Sequence, residues 1–133
     1  MTRSFKRSIQ SLPSVFEFLG EFIDKERLSE GDAFTLRFAS EELFTNLVKY
    51  NPESPSDIAL SVTRDGSSAI LRIVDQQAQA FDPTKRPELD LNKKLEERRP
   101  GGLGIHLVKR MIDKIEYQHV DNKSIYTLTQ HLE

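Results

Sequence analysis

The chain has 133 residues, enough for one domain with a single core, and its 19 basic and 21 acidic side chains give a formal net charge of −2. This balance argues against a surface devoted to nucleic acid, and the absence of cysteine excludes disulfides, thiolate metal sites and cysteine nucleophiles. With no secretory leader and no apolar run of roughly 18 residues that could cross a bilayer, we expect a soluble, cytoplasmic protein without a membrane partner.

The first half of the chain predicts a short strand and two helices. Residues 3–9 can form the strand, and apolar residues recur at spacings of three and four over 11–28 and again over 30–50. A loop rich in helix-breaking residues follows at 51–57. The apolar positions on which this prediction depends are Val15, Phe18 and Phe22 in the first helix, and Leu36, Ala39, Leu43 and Leu47 in the second.

After this loop the apolar period changes from helical to alternating. Residues 57–63 and 68–75 read as two antiparallel strands, joined at Asp65 and Gly66, because both of these residues tolerate a positive φ. The following stretch, 76–100, is polar, contains three prolines, and is longer than an ordinary connection; such loops are often functional.

The last third of the chain predicts a helix near 103–113 and two strands near 115–120 and 124–131. Together with the earlier elements, this order indicates an α+β fold, a two-layer sandwich with helices on one face of a mixed, mainly antiparallel sheet. We expect the whole chain, 1–133, to form one domain.

Three of the six glycines, Gly101, Gly102 and Gly104, stand directly before the predicted third helix. Glycine lets a backbone approach a ligand closely, and the unpaired N–H groups at a helix N-terminus favour an anion such as phosphate. The segment is neither a Walker loop, since no Gly-Lys-Ser/Thr follows, nor a dinucleotide fingerprint, since Leu107 stands where the third glycine would be. A flexible turn before a helix is the alternative explanation.

The second predicted helix carries a polar stripe formed by Glu42, Asn46 and Lys49, at spacings of four and three. A carboxylate can accept a proton from an attacking hydroxyl, an amide oxygen is a suitable Mg²⁺ ligand, and a lysine can neutralise phosphate charge. A solvated helix face is the alternative.

Asp75 ends the second strand of the predicted hairpin. A carboxylate at that position can accept a hydrogen bond from an exocyclic amine such as that of adenine, although it can equally cap the following loop.

Taken together, these three features resemble the GHKL (Bergerat-fold) ATP-binding superfamily, which includes histidine kinases, Hsp90, gyrase and the RsbW-type anti-sigma factors. The chain is most similar to the last group. The resemblance lies in "EELFTNLVKY", "AFDPT", "LEERRPGGLGIHLVKRMIDKIEYQ" and "YTLTQHL", in this order and spacing, and the glycine-rich segment is its most specific part.

The resemblance implies a role for each matching residue. Glu42 corresponds to the general base, Asn46 to the Mg²⁺ ligand, Lys49 to a residue near phosphate, and Asp75 to the adenine contact. It also implies an ATP lid over about 82–100. The segment that wraps the triphosphate corresponds to Gly101, Gly102, Leu103, Gly104 and Ile105. Thr127 corresponds to the strand threonine near the base.

The function implied by this resemblance is that of a serine/threonine-protein kinase and anti-sigma regulator using ATP and Mg²⁺. Its expected partners are a STAS-type antagonist, which it phosphorylates, and a sigma factor, which it sequesters; a homodimer is also implied.

One departure from the family pattern is Gln77, which stands where the family usually has glycine beside the adenine. It motivates the alternative of a binding module with weak or no catalysis. A detached histidine-kinase catalytic domain is a third reading, disfavoured by the short lid and the missing acceptor helices.

Overall fold

The computed structural model describes residues 1–50, 54–76 and 102–133. The predicted lid at 82–100, Gln77 and Gly101 therefore lie outside the described residues. The elements, in chain order, are β1 (Thr2–Phe5), a short 3₁₀ turn (Ile9–Ser11), α1 (Leu12–Glu26), α2 (Glu30–Tyr50), β2 (Ile58–Asp65), β3 (Ser68–Asp75), α3 (Gly102–Met111), β4 (Lys114–Val120) and β5 (Lys123–His131).

The five strands form one sheet in the order β1-β2-β3-β5-β4, and α1, α2 and α3 cover one of its faces. The predicted two-layer α+β architecture is confirmed. All four strand pairings are antiparallel, so the described strands contain no parallel pair and the expected mixed character is not found. The physical reason is that β2–β3 and β4–β5 are hairpins, and a short turn can join only antiparallel strands. A parallel pair would need a long crossover connection, and β5 instead joins β3 in the antiparallel sense.

Local sequence explains where α1 and α2 begin and end. Pro13 lies in the first turn of α1, where its missing N–H costs nothing, and Arg27 ends the helix in the left-handed region at φ 54°. The hydroxyl of Ser29 then caps α2 by accepting a hydrogen bond from the N–H of Asp32 at 3.1 Å. The two helices are thus separated by a short, well-defined corner.

The core lies between the helices and the sheet, and it contains the predicted apolar stripes. Val15, Phe18 and Phe22 on α1 are at most 2% exposed, as are Leu60 and Ile73 on the central strands. The predicted stripe of α2, formed by Leu36, Ala39, Leu43 and Leu47, is buried as well. Each large side chain buried in this way contributes about 1.5–3 kcal/mol.

The two hairpin turns differ in how they use a positive φ. In the β2–β3 turn only Gly66 has a positive φ, at 61°, and Asp65 pairs with Ser68 as the last residue of its strand. The predicted hairpin is therefore confirmed, but its turn lies one residue later than expected. In the β4–β5 turn both Asp121 and Asn122 adopt a positive φ, the pattern of a type I′ turn.

Candidate functional site

The polar stripe of α2 is half-buried at its first residue, buried at its second and exposed at its third. Glu42 is half-buried, Asn46 is 1% exposed, and Lys49 is exposed in the last helical turn. A solvated helix face would leave all three side chains in water. The burial of Asn46 shows that this stripe enters the layer between the helices and the sheet.

Asn46 is only partly satisfied in this position. Its Nδ2 donates a hydrogen bond to the backbone carbonyl of Glu42 at 2.6 Å, while its Oδ1 is buried and has no hydrogen-bond partner among the described residues. A buried amide oxygen without a partner costs roughly 1–3 kcal/mol. Such an oxygen is an acceptor available to a ligand, and its chemistry suits a hard cation such as Mg²⁺.

The carboxyl group of Glu42 has a perturbed proton affinity. Burial raises the pKa of Glu42 above its ordinary value, and the neighbouring carboxylate of Glu41 raises it further, whereas the ammonium of Lys49 lowers it. A raised pKa brings a carboxylate closer to the basicity that proton abstraction near neutral pH requires. The position and the electrostatics of Glu42 therefore suit a general base.

Asp75 lies at the end of β3 on the helix-covered face, and its partner is an arginine. Both carboxylate oxygens accept hydrogen bonds from Arg7: Oδ2 accepts from Nη1 at 3.2 Å and Oδ1 accepts from Nη2. The two side chains are 3% and 1% exposed, so this is a buried ion pair. Nη1 of Arg7 also donates to the carbonyl of Leu47 at 3.3 Å. The Asp75 carboxylate is consequently linked to the helix backbone next to Asn46.

Ser124 on β5 lies directly opposite Asp75 in the sheet, and both residues are 1% exposed. The hydroxyl groups of Ser124 and Tyr117 are 3.2 Å apart and share a hydrogen bond. Because residues that pair directly across a sheet share a face, Ser124 belongs to the same cluster as Asp75.

Thr127 is not part of this cluster. It lies three positions after Ser124 on the same strand, and it pairs with the exposed residues Arg72 and Glu116. Side chains alternate between faces along a strand, so Thr127 points away from the helices. The sequence-based expectation that Thr127 lies on the base side does not agree with this placement, and Ser124 is the β5 residue that faces Asp75.

The glycine-rich segment opens a helix, as expected. α3 begins at Gly102 and packs against α2, and it contributes Val108 and Ile112 to the core. The backbone of Gly102, Leu103, Gly104 and Ile105 thus forms the first helical turn, while Gly101 lies outside the described residues. The structure places the start of this helix in the same layer as the polar stripe of α2.

Within 1–50, 54–76 and 102–133, no three histidine or acidic side chains cluster closely enough to hold a metal ion by themselves. Mg²⁺ commonly takes several of its ligands from substrate phosphates and water, so a site at Asn46 does not require such a cluster. No helix in the same part of the chain is long and apolar enough to cross a membrane.

Sequence reasoning missed Arg7, Ser124 and Tyr117. Arg7 lies 68 residues from Asp75, and no local sequence pattern predicts their contact. The Asp121-Asn122 turn sets the register of β4 against β5, and this register places Tyr117 and Ser124 on the same face of neighbouring strands. Alternation along β5 then puts Thr127 on the other face, but neither signal identifies which face the helices cover.

Known proteins resemble this chain in sequence. Residues 5–129 match the family described as the histidine kinase-like ATPase domain. The serine/threonine-protein kinase BtrW of Bordetella bronchiseptica is 31% identical over 109 residues, which are 80% of this chain and 76% of that protein.

Two solved structures share the fold. One contains the RsbU and RsbW domains of a Mycobacterium tuberculosis protein; the superposition has a TM-score of 0.67 at 15% identity and covers 99% of this chain. This chain spans 32% of the length of that one. The other is the SiaB–SiaC complex of Pseudomonas aeruginosa, with a TM-score of 0.65 at 9% identity, covering 100% of this chain and 88% of that one.

Proposed function

Because the chain belongs to the histidine kinase-like ATPase domain family, we propose that it binds ATP with Mg²⁺ and transfers the γ-phosphoryl group to a serine or threonine hydroxyl of a partner protein. The relative BtrW is named a serine/threonine-protein kinase, which supports this choice of acceptor. The observation that carries the proposal is the buried, unpartnered Oδ1 of Asn46 beside the half-buried Glu42.

Asn46 is the residue proposed to hold the magnesium ion. Its Nδ2 is fixed on the carbonyl of Glu42, so the amide cannot turn without losing that hydrogen bond, and Oδ1 stays presented as an acceptor. When bound, Mg²⁺ would neutralise charge on the phosphate oxygens. The bond to the backbone therefore keeps the ligand atom in one orientation before any nucleotide arrives.

Glu42 is the residue proposed to accept the proton. The hydroxyl oxygen of the partner's serine or threonine attacks the γ-phosphorus, its proton passes to the Glu42 carboxylate, and the bond to the β–γ bridging oxygen breaks, with its electron pair leaving on ADP. Lys49, exposed at the end of α2, would offset charge on the phosphates. Catalysis of this kind needs few chemical groups, because positioning supplies most of the effect.

The base of the nucleotide is proposed to lie at the other end of the cluster, near Asp75 and Ser124. The Asp75 carboxylate would accept from the exocyclic amine of adenine, and Ser124 faces it from the next strand. The backbone of Gly101, Gly102, Leu103, Gly104 and Ile105 would wrap the triphosphate, with residues 82–100 as the lid.

The proposed partners are a STAS-type antagonist, as phosphoryl acceptor, and a sigma factor held in alternation with it. Such switching requires that the two partners differ in affinity for the states of this protein. The family resemblance and the likeness to an RsbW domain are compatible with this scheme. A homodimer and a cytoplasmic location remain predictions.

A second candidate function is a protein-binding module with weak or no nucleotide dependence. One observation favours it specifically: each oxygen of the Asp75 carboxylate already accepts a hydrogen bond from Arg7. Taken with Gln77 at the usual glycine position, this would weaken recognition of adenine.

The deciding experiment uses the purified chain, γ-labelled ATP and an unmodified STAS protein as the candidate phosphoryl acceptor. The kinase proposal expects labelled phosphoserine or phosphothreonine on the STAS protein, and loss of the label in Glu42→Ala although ATP still binds. Glu41→Ala is the matched control, since it removes a neighbouring carboxylate. Stable binding of the STAS protein without any nucleotide signal would favour the second candidate.

A further inference from the structure

Arg7 joins the two parts of the molecule that the proposed nucleotide site requires. Its guanidinium binds the carboxylate of Asp75 at the end of β3 and the carbonyl of Leu47 on α2, one residue after Asn46. The base-side acceptor and the helix that carries the proposed magnesium ligand are thereby held by one side chain. Arg7 itself lies in the connection between β1 and the 3₁₀ turn, outside every motif that the sequence presents.

The burial of this pair limits what an incoming base can do. The two side chains are 3% and 1% exposed, and removing one partner of such a pair leaves an uncompensated buried charge. A neutral adenine amine forms a weaker hydrogen bond than a guanidinium and is a poor substitute for it. Displacement of Arg7 by the base is therefore unfavourable.

Binding with the pair intact is chemically possible. Each carboxylate oxygen has two acceptor positions, and Arg7 uses one on each. The Nε of Arg7 is also buried and has no hydrogen-bond partner within the described ranges, so one donor of this guanidinium is unused. Acceptor capacity on the Asp75 carboxylate thus remains at the end of β3.

We propose that Arg7 is a positioning residue for nucleotide recognition, which holds the Asp75 carboxylate in one orientation so that it accepts from the exocyclic amine of adenine while the ion pair stays in place. This inference rests on the proposed ATP binding. It assigns to Arg7 a role in choosing the base, and none in the chemistry at the γ-phosphate.

The test compares ATP with inosine triphosphate, in which a carbonyl oxygen replaces the exocyclic amine. The wild-type protein is expected to prefer ATP by about tenfold or more, the usual effect of one hydrogen bond to a charged group. In Arg7→Met and in Asp75→Asn this preference is expected to fall towards one, and the double variant is expected to lose nothing further. Binding of inorganic tripolyphosphate should not change, because the proposed site puts the phosphates at the end away from Asp75.

Arg3→Met is the matched control. Arg3 also lies near the N-terminus and is ion-paired, but its pair with Glu21 is about half exposed, so the ATP preference should be retained. If Arg7→Met does not fold, Arg7→Lys keeps the charge without the two-pronged geometry, and it should lose most of the preference.

Three results would overturn the inference. Tighter ATP binding in Arg7→Met would show that Arg7 competes with the base, and an unchanged preference in folded Arg7→Met or Arg7→Lys would show that it has no role in recognition. A wild-type protein that binds no ATP would remove the proposed function together with this inference, whereas the first two results leave ATP binding in place.

Discussion

The amide of Asn46 donates a 2.6 Å hydrogen bond to the carbonyl of Glu42, one helical turn earlier, while its oxygen stays buried without a partner among the described residues. The side chain that is proposed to bind the metal is thus oriented by the backbone of the residue that is proposed to act as base. A change at either position should affect a separate step, and this makes the two roles distinguishable.

We expect Asn46→Ala to abolish the part of ATP affinity that depends on Mg²⁺, because the only side-chain oxygen proposed as a protein ligand is removed. The measurement is an ATP titration with Mg²⁺ and again with a chelator. Ser40→Ala is a matched control on the same helix, since Ser40 is also buried and donates to a carbonyl four residues earlier, that of Leu36 at 2.8 Å. Equal loss of Mg²⁺ dependence in both variants would contradict a specific role for Asn46.

We expect Glu42→Gln to reduce phosphoryl transfer by a factor of about 10²–10⁴, the usual contribution of a general base. ATP affinity should stay within a few-fold of the wild type, because the glutamine keeps the shape of the side chain and the backbone carbonyl that Asn46 uses. Single-turnover rates and equilibrium titrations separate the two quantities. A parallel loss of binding and transfer would instead indicate a structural role for this carboxyl group.

The pH profile of phosphoryl transfer should report the environment of Glu42. The base is active when it is ionised, so the rate should fall as pH drops through the pKa of Glu42, which is raised by burial and by Glu41 and lowered by Lys49. Glu41→Gln removes a raising influence and should move the acid limb to lower pH, whereas Lys49→Met removes the lowering one and should move it to higher pH. The expected shifts have opposite signs, so a common shift would contradict this assignment.

The buried pair of Arg7 and Asp75 should matter for stability as well as for recognition. Arg7→Met is expected to lower the free energy of unfolding by about 3–5 kcal/mol, because it leaves a buried carboxylate without its partner. Adding Asp75→Asn should recover part of this loss by removing the charge. Urea denaturation gives both values.

The control for this prediction is the exposed pair formed by Arg3 and Glu21. Exposed ion pairs contribute little, and the guanidinium of Arg3 also lies 5.3 Å from the ring centroid of Phe18, so Arg3→Met should cost about 1 kcal/mol. Equal losses in Arg3→Met and Arg7→Met would mean that burial of the second pair does not decide its contribution.

The sequence by itself determined the elements of this protein and the order in which they occur. Apolar spacing in α1 and α2 follows from the need to bury one helix face, and the alternation in β2 and β3 follows from the two faces of a strand. Both patterns can therefore be read from the residues of a single segment. The placement of Asn46 on a buried stripe was also accessible, because Leu43 and Leu47 mark the core side of the same helix.

Only the tertiary structure decided which polar groups meet. The contact of Arg7 with Asp75 joins residues 68 positions apart, and the choice between Ser124 and Thr127 depends on the register of β5 against β3. In "SIYTLTQ" both faces of the strand carry apolar and hydroxyl side chains, so alternation alone does not identify the inner face. The packing of the helices on one side of the sheet supplies this information, because it buries Ser124 and Tyr126 and leaves Thr127 on the opposite face.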